Sequence, residues 1–513
     1  MGSDQAGQVV APRSTLGAMT TTTSIDPRTP VVVGVAQIKQ RPEDPAEAAE
    51  ALELMTSAVR DAATDAGVPG LLTRLDLIGV VDGAWKYSDP ARLIAGAVGA
   101  ADAKTARTSI GGQTPQAYVN NISARIQAGE LDVAVVTGAE TIWSRRRQRR
   151  DGVSVEPTEQ KGVSPDEYFG VDMPMSTEFE QSRGMKMPIN YYPVFESAIR
   201  AINGETLADH RDRLSELWAK FNEVAVDNPF AWSPAPMTAT EIRNPSPANR
   251  MVGFPYTKAM NSNWDLDQGA AVLLCSAQAA QDAGVPRDRW VFPWAGTDAH
   301  DTYSVSQRRD LHSSPAITEA GAKLFELAGV DTDDIAHVDL YSCFPSAVQV
   351  SAQALGLSLD RQLTQTGGLT FAGGPLNNYV THSIAAMTNR LRSDAGALGL
   401  VTANGGYLTK HALGIYSTSP PPRPYRAEDV QDAVDQTPTV AADESYSGQA
   451  TIEGYTVMHT PEGPETGLCA LRTPEGARTW GQVADADALE SMMETEAISR
   501  TVELAADGSA NLN

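Results

Sequence analysis

One glycine-headed unit occurs twice in this chain, and it constrains the fold more than any other feature of the sequence. Each copy has paired glycines, then a run with apolar residues at helical spacing, then a β-branched run. In the first copy these three parts are 111–112, 116–127 and 132–138. In the second copy they are 373–374, 378–392 and 398–405. The spacing predicts a helix in each copy, and the β-branched run predicts a buried strand. Such a repeat predicts two structurally equivalent halves.

The glycine pairs are candidate ligand sites. Glycine lets the backbone approach a bound group closely, and a helix N-terminus can hold an anion or a polarised carbonyl oxygen. We therefore expect Gly111, Gly112 and Gln113 of the first unit, and Gly373 and Gly374 of the second, to contact a ligand. The alternative is that both pairs form tight strand-to-helix turns and bind nothing.

The composition argues against several classes of protein. The chain has 513 residues and a net charge of −24, which disfavours nucleic acid and anionic membranes as partners. No apolar run of about 18 residues predicts a transmembrane helix, and the first residues lack a signal-peptide pattern. The three cysteines form neither a metal-ligand spacing nor a disulfide framework, so we expect no metal and a cytoplasmic location.

Alternating strand and helix patterns on both sides of a long irregular segment predict an α/β protein with a mainly parallel sheet. The irregular segment, about 140–251, predicts a loop domain over the end of the sheet. Its arginine cluster, Arg145–Arg150, is either a phosphate site or a solvated charge run. The predicted domains are a disordered extension at 1–28, an N-terminal half at 29–290 that includes the loop domain, a C-terminal half at 291–419, a linker at 420–446 and a small β-rich domain at 447–513.

The region after the proline-rich stretch 420–424 has a β pattern. Residues 451–457 alternate between apolar and polar types, and the tetrapeptide Thr-Pro-Glu-Gly, at 460–463 and 473–476, suits turns between strands. We expect a small β-barrel or meander of roughly 70 residues, which is small enough to depend on its neighbour for stability.

Several motifs resemble those of thiolases. Gly129–Val133 is similar to the thiolase "G-x-x-D-V" strand, and 266–284 is similar to its "D-G-A-A-A-L-L-L" segment. Tyr341–Phe344 stands in the place of "N-E-A-F" and is closer to the "H-D-C-F" of sterol-carrier-protein thiolases. The stretch 367–375 resembles "G-G … G-H-P", and Asn404–Gly406 resembles the glycine loop after the last catalytic cysteine. With its extra C-terminal domain, the chain resembles the mycobacterial-type thiolase-like proteins.

This resemblance, which covers about 29–418, implies a thiolase fold of duplicated mixed βαβαβ halves packed as layered sheets and helices, beside a small C-terminal β-barrel-like domain. It implies CoA or acyl-CoA as substrate or ligand, no covalently bound cofactor, and an acetyl-CoA acetyltransferase-like place in lipid metabolism. Asn404, Gly405 and Gly406 would contact this ligand together with the glycine pairs. Thiolases usually dimerise through the strand that here is 105–110, so we expect a monomer or homodimer.

The chain departs from the thiolase pattern at each catalytic position. The nucleophilic cysteine is replaced by Gly111 and the histidine of "G-H-P" by Gly374. The asparagine or histidine of the third motif is replaced by Tyr341, and the second cysteine by Thr402 or Ala403. Glycine can neither accept an acyl group nor move a proton, so ordinary thiolase chemistry is not expected.

Four other side chains are candidates for catalysis. His382, which the spacing places opposite the apolar stripe of its helix, and His411 would act as acid or base, or else they are a capping and a sheet histidine. Cys343 is either a nucleophile or a small buried residue, and Tyr341 either donates to a thioester oxygen or only packs. The neighbouring amides 377–378 either bind that oxygen or cap the helix.

Two functions stay open at this point. One is an acyltransferase, or an enzyme that forms or cleaves C–C bonds in CoA thioesters without a covalent cysteine adduct. The alternative is a non-catalytic thiolase fold that binds acyl-CoA or acts as a partner protein.

Overall fold

The computed structural model describes residues 25–512. The predicted N-terminal extension, 1–28, lies outside the described residues except for its last four. No helix within the described range is long and apolar enough to cross a membrane.

The elements follow the chain in four segments. The first contains β1 (Pro30–Lys39), α1 (Ala51–Asp65), β2 (Leu77–Val80), α2 (Pro90–Val98), β3 (Lys104–Thr108), α3 (Thr114–Ala128) and β4 (Val133–Thr141). The second contains α4 (Ile142–Asp151), β5 (Glu167–Phe169), α5 (Glu178–Ser182), α6 (Pro188–Asn203), α7 (Leu207–Asp227), α8 (Ala239–Arg243), β6 (Met251–Gly253) and β7 (Tyr256–Thr257).

The third segment contains β8 (Asp267–Ser276), α9 (Ala277–Ala283), β9 (Phe292–His300), α10 (Pro315–Ala328), β10 (Ile335–Asp339), α11 (Pro345–Ala354), α12 (Gly368–Phe371), α13 (Tyr379–Ser393), β11 (Leu398–Gly405) and β12 (Lys410–Ser417). The fourth contains β13 (Arg426–Asp429), α14 (Gln431–Val434), β14 (Gly448–Thr460), β15 (Gly463–Arg472), β16 (Arg478–Val483), α15 (Ala486–Glu494), β17 (Thr501–Leu504) and β18 (Ala510–Leu512).

The two glycine units belong to equivalent halves. The first sheet has the order β1-β8-β4-β2-β3-β5 and the second has the order β10-β11-β12-β9-β13. In the first sheet, β1 pairs antiparallel with β8, β8 pairs antiparallel with β4, and β4 pairs parallel with β2. The second sheet repeats this series: β9 pairs antiparallel with β12, β12 pairs antiparallel with β11, and β11 pairs parallel with β10. The duplication is therefore confirmed, but the sheets are mixed rather than mainly parallel because β8 and β12 run against both neighbours.

Helices α3 and α13, which follow the glycine pairs, form the layer between the two sheets. They pack against each other, and each also contacts strands of both sheets. Both helices are consequently buried on nearly all sides. Polar residues such as Gln116, Asn120 and His382 are therefore buried as well. This layered arrangement confirms the predicted α/β fold of two duplicated mixed halves and places the glycine pairs in the interior.

Strand β5 covers the edge of the first sheet. It comes from the irregular segment and pairs parallel to β3, with Ala106 opposite Glu167. An edge strand offers unpaired backbone groups to another chain. Here that side of β3, which the resemblance predicts as a dimer edge, is bonded to a strand of the same chain.

The C-terminal strands form an antiparallel sheet in the order β16-β15-β14-β17-β18. Its edge strands approach each other at a single bridge, Gln482 to Ser509, and the described residues form an open sheet rather than a closed barrel. The sheet is held to the rest by β6, which pairs with β14, and by the buried side chain of Arg478. That guanidinium donates to Glu453 and to the backbone carbonyls of Val305, Ser306 and Arg308.

Candidate functional site

The first glycine unit is held by the second. The N–H of Gly111 donates to Asn377 Oδ1 at 3.0 Å, and the amide of Asn377 donates to the carbonyl of Asp82 at 2.9 Å. The neighbouring Asn378 donates to the carbonyl of Gly138 at 2.7 Å. Both asparagine side chains therefore donate to the protein's own backbone, and the N–H of Gly111 is taken up by the side chain of Asn377.

The predicted residues of the first unit, the loop after β11 and the third motif come together in one cluster. A Cβ on Gly112 would collide with Tyr341 Oη and would lie 2.5 Å from the carbonyl oxygen of Asn404. A Cβ on Gly405 would collide with the Oε1 of Gln113 and would lie 3.2 Å from the N–H nitrogen of Gly112. We call this group, made of Gly111–Gln113, Tyr341, Asn404 and Gly405, the tip cluster.

Cys343 lies beside the tip cluster in a closed environment. The amide nitrogen of Asn404 donates to Tyr192 Oη at 3.0 Å and lies 3.8 Å from the Cys343 sulfur. The Tyr192 hydroxyl in turn lies 3.3 Å from the carbonyl of Gly406. Burial raises the pKa of the Cys343 thiol to about 12, and burial also raises the pKa of the Tyr341 phenol. The thiol is therefore neutral and poorly nucleophilic at neutral pH.

The second glycine pair packs closely against Ser262 and Gln268. A Cβ on Gly374 would collide with the Ser262 hydroxyl, and one on Gly373 would collide with Gln268 Oε1. The backbone N–H of Ser262 donates to the carbonyl of Cys343 at 3.1 Å. Ser262 therefore connects the second glycine pair to Cys343, which lies beside the tip cluster.

His382 lies within the packed layer. Its Nδ1 is 3.0 Å from Gln37 Oε1 on β1, and its Nε2 is buried with no hydrogen-bond partner among the described residues. Burial lowers the pKa of His382 to about 3. The spacing of α13 placed His382 opposite an apolar stripe, but that face is covered too, because a second sheet packs against it. A neutral imidazole with so low a pKa is a weak base.

His411 pairs with an aspartate instead of the tip cluster. Its backbone lies opposite Asn404 in the β11–β12 ladder, and its Nε2 is 3.6 Å from Asp301 Oδ2, with both side chains buried. Asp301 also accepts from the Ser314 hydroxyl. Burial, the largest influence, raises the pKa of Asp301, but His411 and the charge of Arg308 outweigh it and leave the pKa below its ordinary value.

Lys410 lies against the tip cluster, although it was not among the predicted site residues. Its ammonium donates to the carbonyl of Ile110 at 2.6 Å, and it lies 2.9 Å from the point where a Cβ of Gly111 would stand. Its side chain is buried, and burial lowers its pKa. The sequence signal is a lysine at the start of a mostly apolar strand, three residues after the glycine loop 404–407.

A cleft of about 900 Å³ is lined by none of the residues of the tip cluster. Its walls come from three parts of the chain, 173–181, 300–315 and 431–439. Asp301 lines it, so the His411–Asp301 pair adjoins this cleft.

The arginine cluster forms α4, and most of its side chains are bound within the protein. Arg145 donates to the carbonyl of Ala84, and Arg147 donates to the carbonyls of Pro42 and Glu43. Arg146 pairs with Asp265 and Arg150 with Asp151. These contacts favour a structural helix over a phosphate site.

Comparison with known proteins gives consistent matches. Residues 429–509 match the family described as "Thiolase-like protein type 1 additional C-terminal domain". The structure superimposes on that of a monomeric SCP2-thiolase like protein type 1 from Mycobacterium smegmatis with a TM-score of 0.81 and 31% identity, over 95% of this chain and 99% of that chain. The acetyl-CoA acetyltransferase of Methanothermobacter thermautotrophicus is 23% identical over 57% of this chain and 74% of its own length. Benzoylsuccinyl-CoA thiolase subunit BbsB of Thauera aromatica is 27% identical over 37% of this chain and 51% of its own length.

Proposed function

The chain belongs to the type 1 SCP2-thiolase-like proteins, and from this premise we propose that it binds CoA or a CoA thioester without forming a covalent acyl-cysteine. The relatives support the ligand class, because two of them are named for reactions of CoA thioesters. The tip cluster, where two loops, a tyrosine and a helix start meet, is the proposed place for the acyl end of the ligand.

The observation that carries this proposal is the composition of the tip cluster. Gly111 stands at the start of α3 with no side chain, and the space beside it is taken by the Gln113 amide and the Lys410 ammonium. Acyl transfer through the protein needs a nucleophile that can be deprotonated. The nearest thiol, Cys343, is held neutral by burial. Binding of the thioester therefore agrees better with these residues than acyl transfer does.

The alternative is an enzyme that acts on C–C bonds of CoA thioesters with a histidine as acid or base. One observation favours it, namely the buried His411–Asp301 pair, since a carboxylate can orient an imidazole for proton transfer. His382 is a poorer candidate because of its low pKa.

Calorimetric titration tests the proposal, with CoA, acetyl-CoA and longer acyl-CoAs as ligands and with chromatography of the same samples for products. We expect saturable binding and unchanged thioesters. A bound ligand also stabilises the folded protein, by roughly 2.7 kcal/mol at a hundredfold excess over Kd, and this stabilisation raises the melting temperature. If no compound of the series binds, the proposal is wrong. Turnover that disappears in His411→Ala would favour the enzyme instead.

A further inference from the structure

The cleft of about 900 Å³ contains a buried cation. Arg308 lines this cleft and is only 6% exposed, and its guanidinium forms no ion pair with any of the described residues. Its Nη2 donates to the carbonyl of Tyr407 and to the Thr409 hydroxyl, both at 2.8 Å, whereas its Nε has no hydrogen-bond partner in the described range. Since a buried charge normally has a counter-ion, this guanidinium points to an anionic group on a ligand.

The buried carboxylate in the same wall does not act as this counter-ion. Asp301 accepts from the Ser314 hydroxyl and from the N–H of Ala316, the latter at 3.1 Å, and it lies 3.6 Å from His411 Nε2. Its charge acts on Arg308 only from beyond ion-pair distance. Both oxygens of Asp301 are therefore engaged elsewhere. A guanidinium has five N–H donors, so Arg308 keeps donors for a ligand beyond the two on Nη2.

The second arginine of the cleft already has a counter-ion. Arg309 Nε donates to the carboxylate of Asp310 at 2.9 Å, and its Nη2 donates to the Ser313 hydroxyl at 3.1 Å. All three residues line the cleft. Of the two arginines in its walls, Arg308 is consequently the one whose charge is not balanced by a direct contact.

Two carboxylates stand at the rim of the cleft. Glu178 belongs to α5 and Asp435 follows α14; both are exposed, and neither pairs with a cation among the described residues. Asp435 only accepts from the Gln431 amide, at 2.8 Å. Carboxylates in this position favour a positively charged group on a ligand and disfavour a second negative one.

The walls of the cleft also offer apolar surface. The ring centroids of His300 and Tyr303 are 4.5 Å apart, and the side chain of Met173 is 42% exposed. Val434 adds a buried apolar side chain to the same lining. A concave surface of this size, apolar with a few placed polar groups, is typical of a small-molecule site.

We propose that the cleft binds a zwitterion, namely an α-amino acid or a short peptide with an apolar side chain. Its carboxylate contacts Arg308, its ammonium contacts Glu178 or Asp435, and its side chain packs on Tyr303. Amino acid and peptide share this chemistry and differ in the distance between the two charges. The site contains no residue of the tip cluster, so it does not depend on the proposed function.

The test uses three probes with the same phenyl group in calorimetric titrations at neutral pH. L-Phenylalanine carries both charges, hydrocinnamate carries only the carboxylate and phenethylamine carries only the ammonium. We expect phenylalanine to bind at least about tenfold more tightly than either of the others, since one charge-assisted hydrogen bond is enough for such a factor. Glycylphenylalanine, in which the charges are about 3.5 Å farther apart, then distinguishes a peptide from a free amino acid.

Variants assign each charge of the probe to its partner. Arg308→Gln should weaken phenylalanine by about tenfold and leave the affinity for phenethylamine unchanged. The double variant of Glu178→Gln with Asp435→Asn should weaken phenylalanine and leave hydrocinnamate unchanged or tighter. If Arg308→Gln does not fold, the double variant decides, because both of its residues are exposed.

Two matched controls should bind phenylalanine within about twofold of the unaltered protein. Arg309→Gln removes the paired arginine of the same wall. Asp282→Asn removes an exposed carboxylate that accepts from the Gln278 amide, as Asp435 does from Gln431, but lies outside the cleft.

Three results would overturn the inference. One is that none of the three probes binds, and another is that hydrocinnamate or phenethylamine binds as tightly as phenylalanine. The third is that a control variant weakens phenylalanine as much as Arg308→Gln or the double variant does. None of these results bears on CoA thioesters at the tip cluster, so the proposed function stands or fails separately.

Discussion

Replacement of Gly111 by alanine tests the packing of the tip cluster. The φ of +152° at Gly111 is a conformation that residues with a Cβ rarely adopt, and holding alanine there costs about 1–3 kcal/mol. The new Cβ would also collide with Gln113 Oε1 and lie 2.9 Å from Lys410 Nζ. If Lys410 moves away, its charge-assisted bond to Ile110 is lost, at a further cost of about 1.5–3 kcal/mol. We therefore expect Gly111→Ala to lower the free energy of unfolding by roughly 3–5 kcal/mol.

The assay is differential scanning calorimetry, with Gly96→Ala as the control. Gly96 lies inside α2, and a Cβ there meets nothing within 4 Å. Alanine in a helix interior is better than glycine by about 0.5–1 kcal/mol, so this variant should melt at the same or a higher temperature. If Gly111→Ala melts together with Gly96→Ala, the packing described for the tip cluster is wrong.

Three further predictions concern other parts of the molecule. Arg478→Met removes a fully buried cation and leaves Glu453 and three carbonyls short of a donor, so it should lower the free energy of unfolding by about 3–5 kcal/mol. Arg472 is a more exposed partner of the same carboxylate, so Arg472→Met should cost at most about 1 kcal/mol. Calorimetry measures both. Burial raises the pKa of Glu140 from its ordinary 4.5 to about 7, so its contribution to stability is complete below pH 4.5 and is lost as the pH rises through 7. The free energy of unfolding of Glu140→Gln should therefore gain roughly 3 kcal/mol on that of the unaltered protein across this window. Parallel pH profiles of stability for the two proteins would contradict this. The three buried cysteines should resist iodoacetamide in the folded protein and react after unfolding in urea, and alkylation of Cys343 under native conditions would show that its thiol is not closed off.

The halves of the fold could be predicted because their signals are local. Helical spacing of apolar residues and β-branched runs follow each glycine pair, and these patterns determine α3, β4, α13 and β11. The open C-terminal sheet was predicted as β structure, but whether its edges close depends on strands that are distant in sequence. The three-residue β5 gave no signal, since it is too short for a period to be visible.

The candidate site was harder to predict because its members meet through tertiary contacts. His382 was placed on a free face of α13, yet a helix between two sheets has no free face, so an apolar stripe on one side does not show that the other side is exposed. Lys410 reaches the tip cluster through a hydrogen bond to a residue 300 positions away. Tyr341, Asn404 and the first glycine pair were predicted from motifs, and the structure brings these together.

Intact-protein mass spectrometry after incubation with acetyl-CoA and acetoacetyl-CoA tests the central claim most directly, with free CoA measured in the same samples. The account predicts an unchanged protein mass and no CoA release above the protein-free blank, at concentrations where calorimetry detects binding. An acyl adduct on any of the three cysteines, or CoA release in proportion to protein, would contradict it.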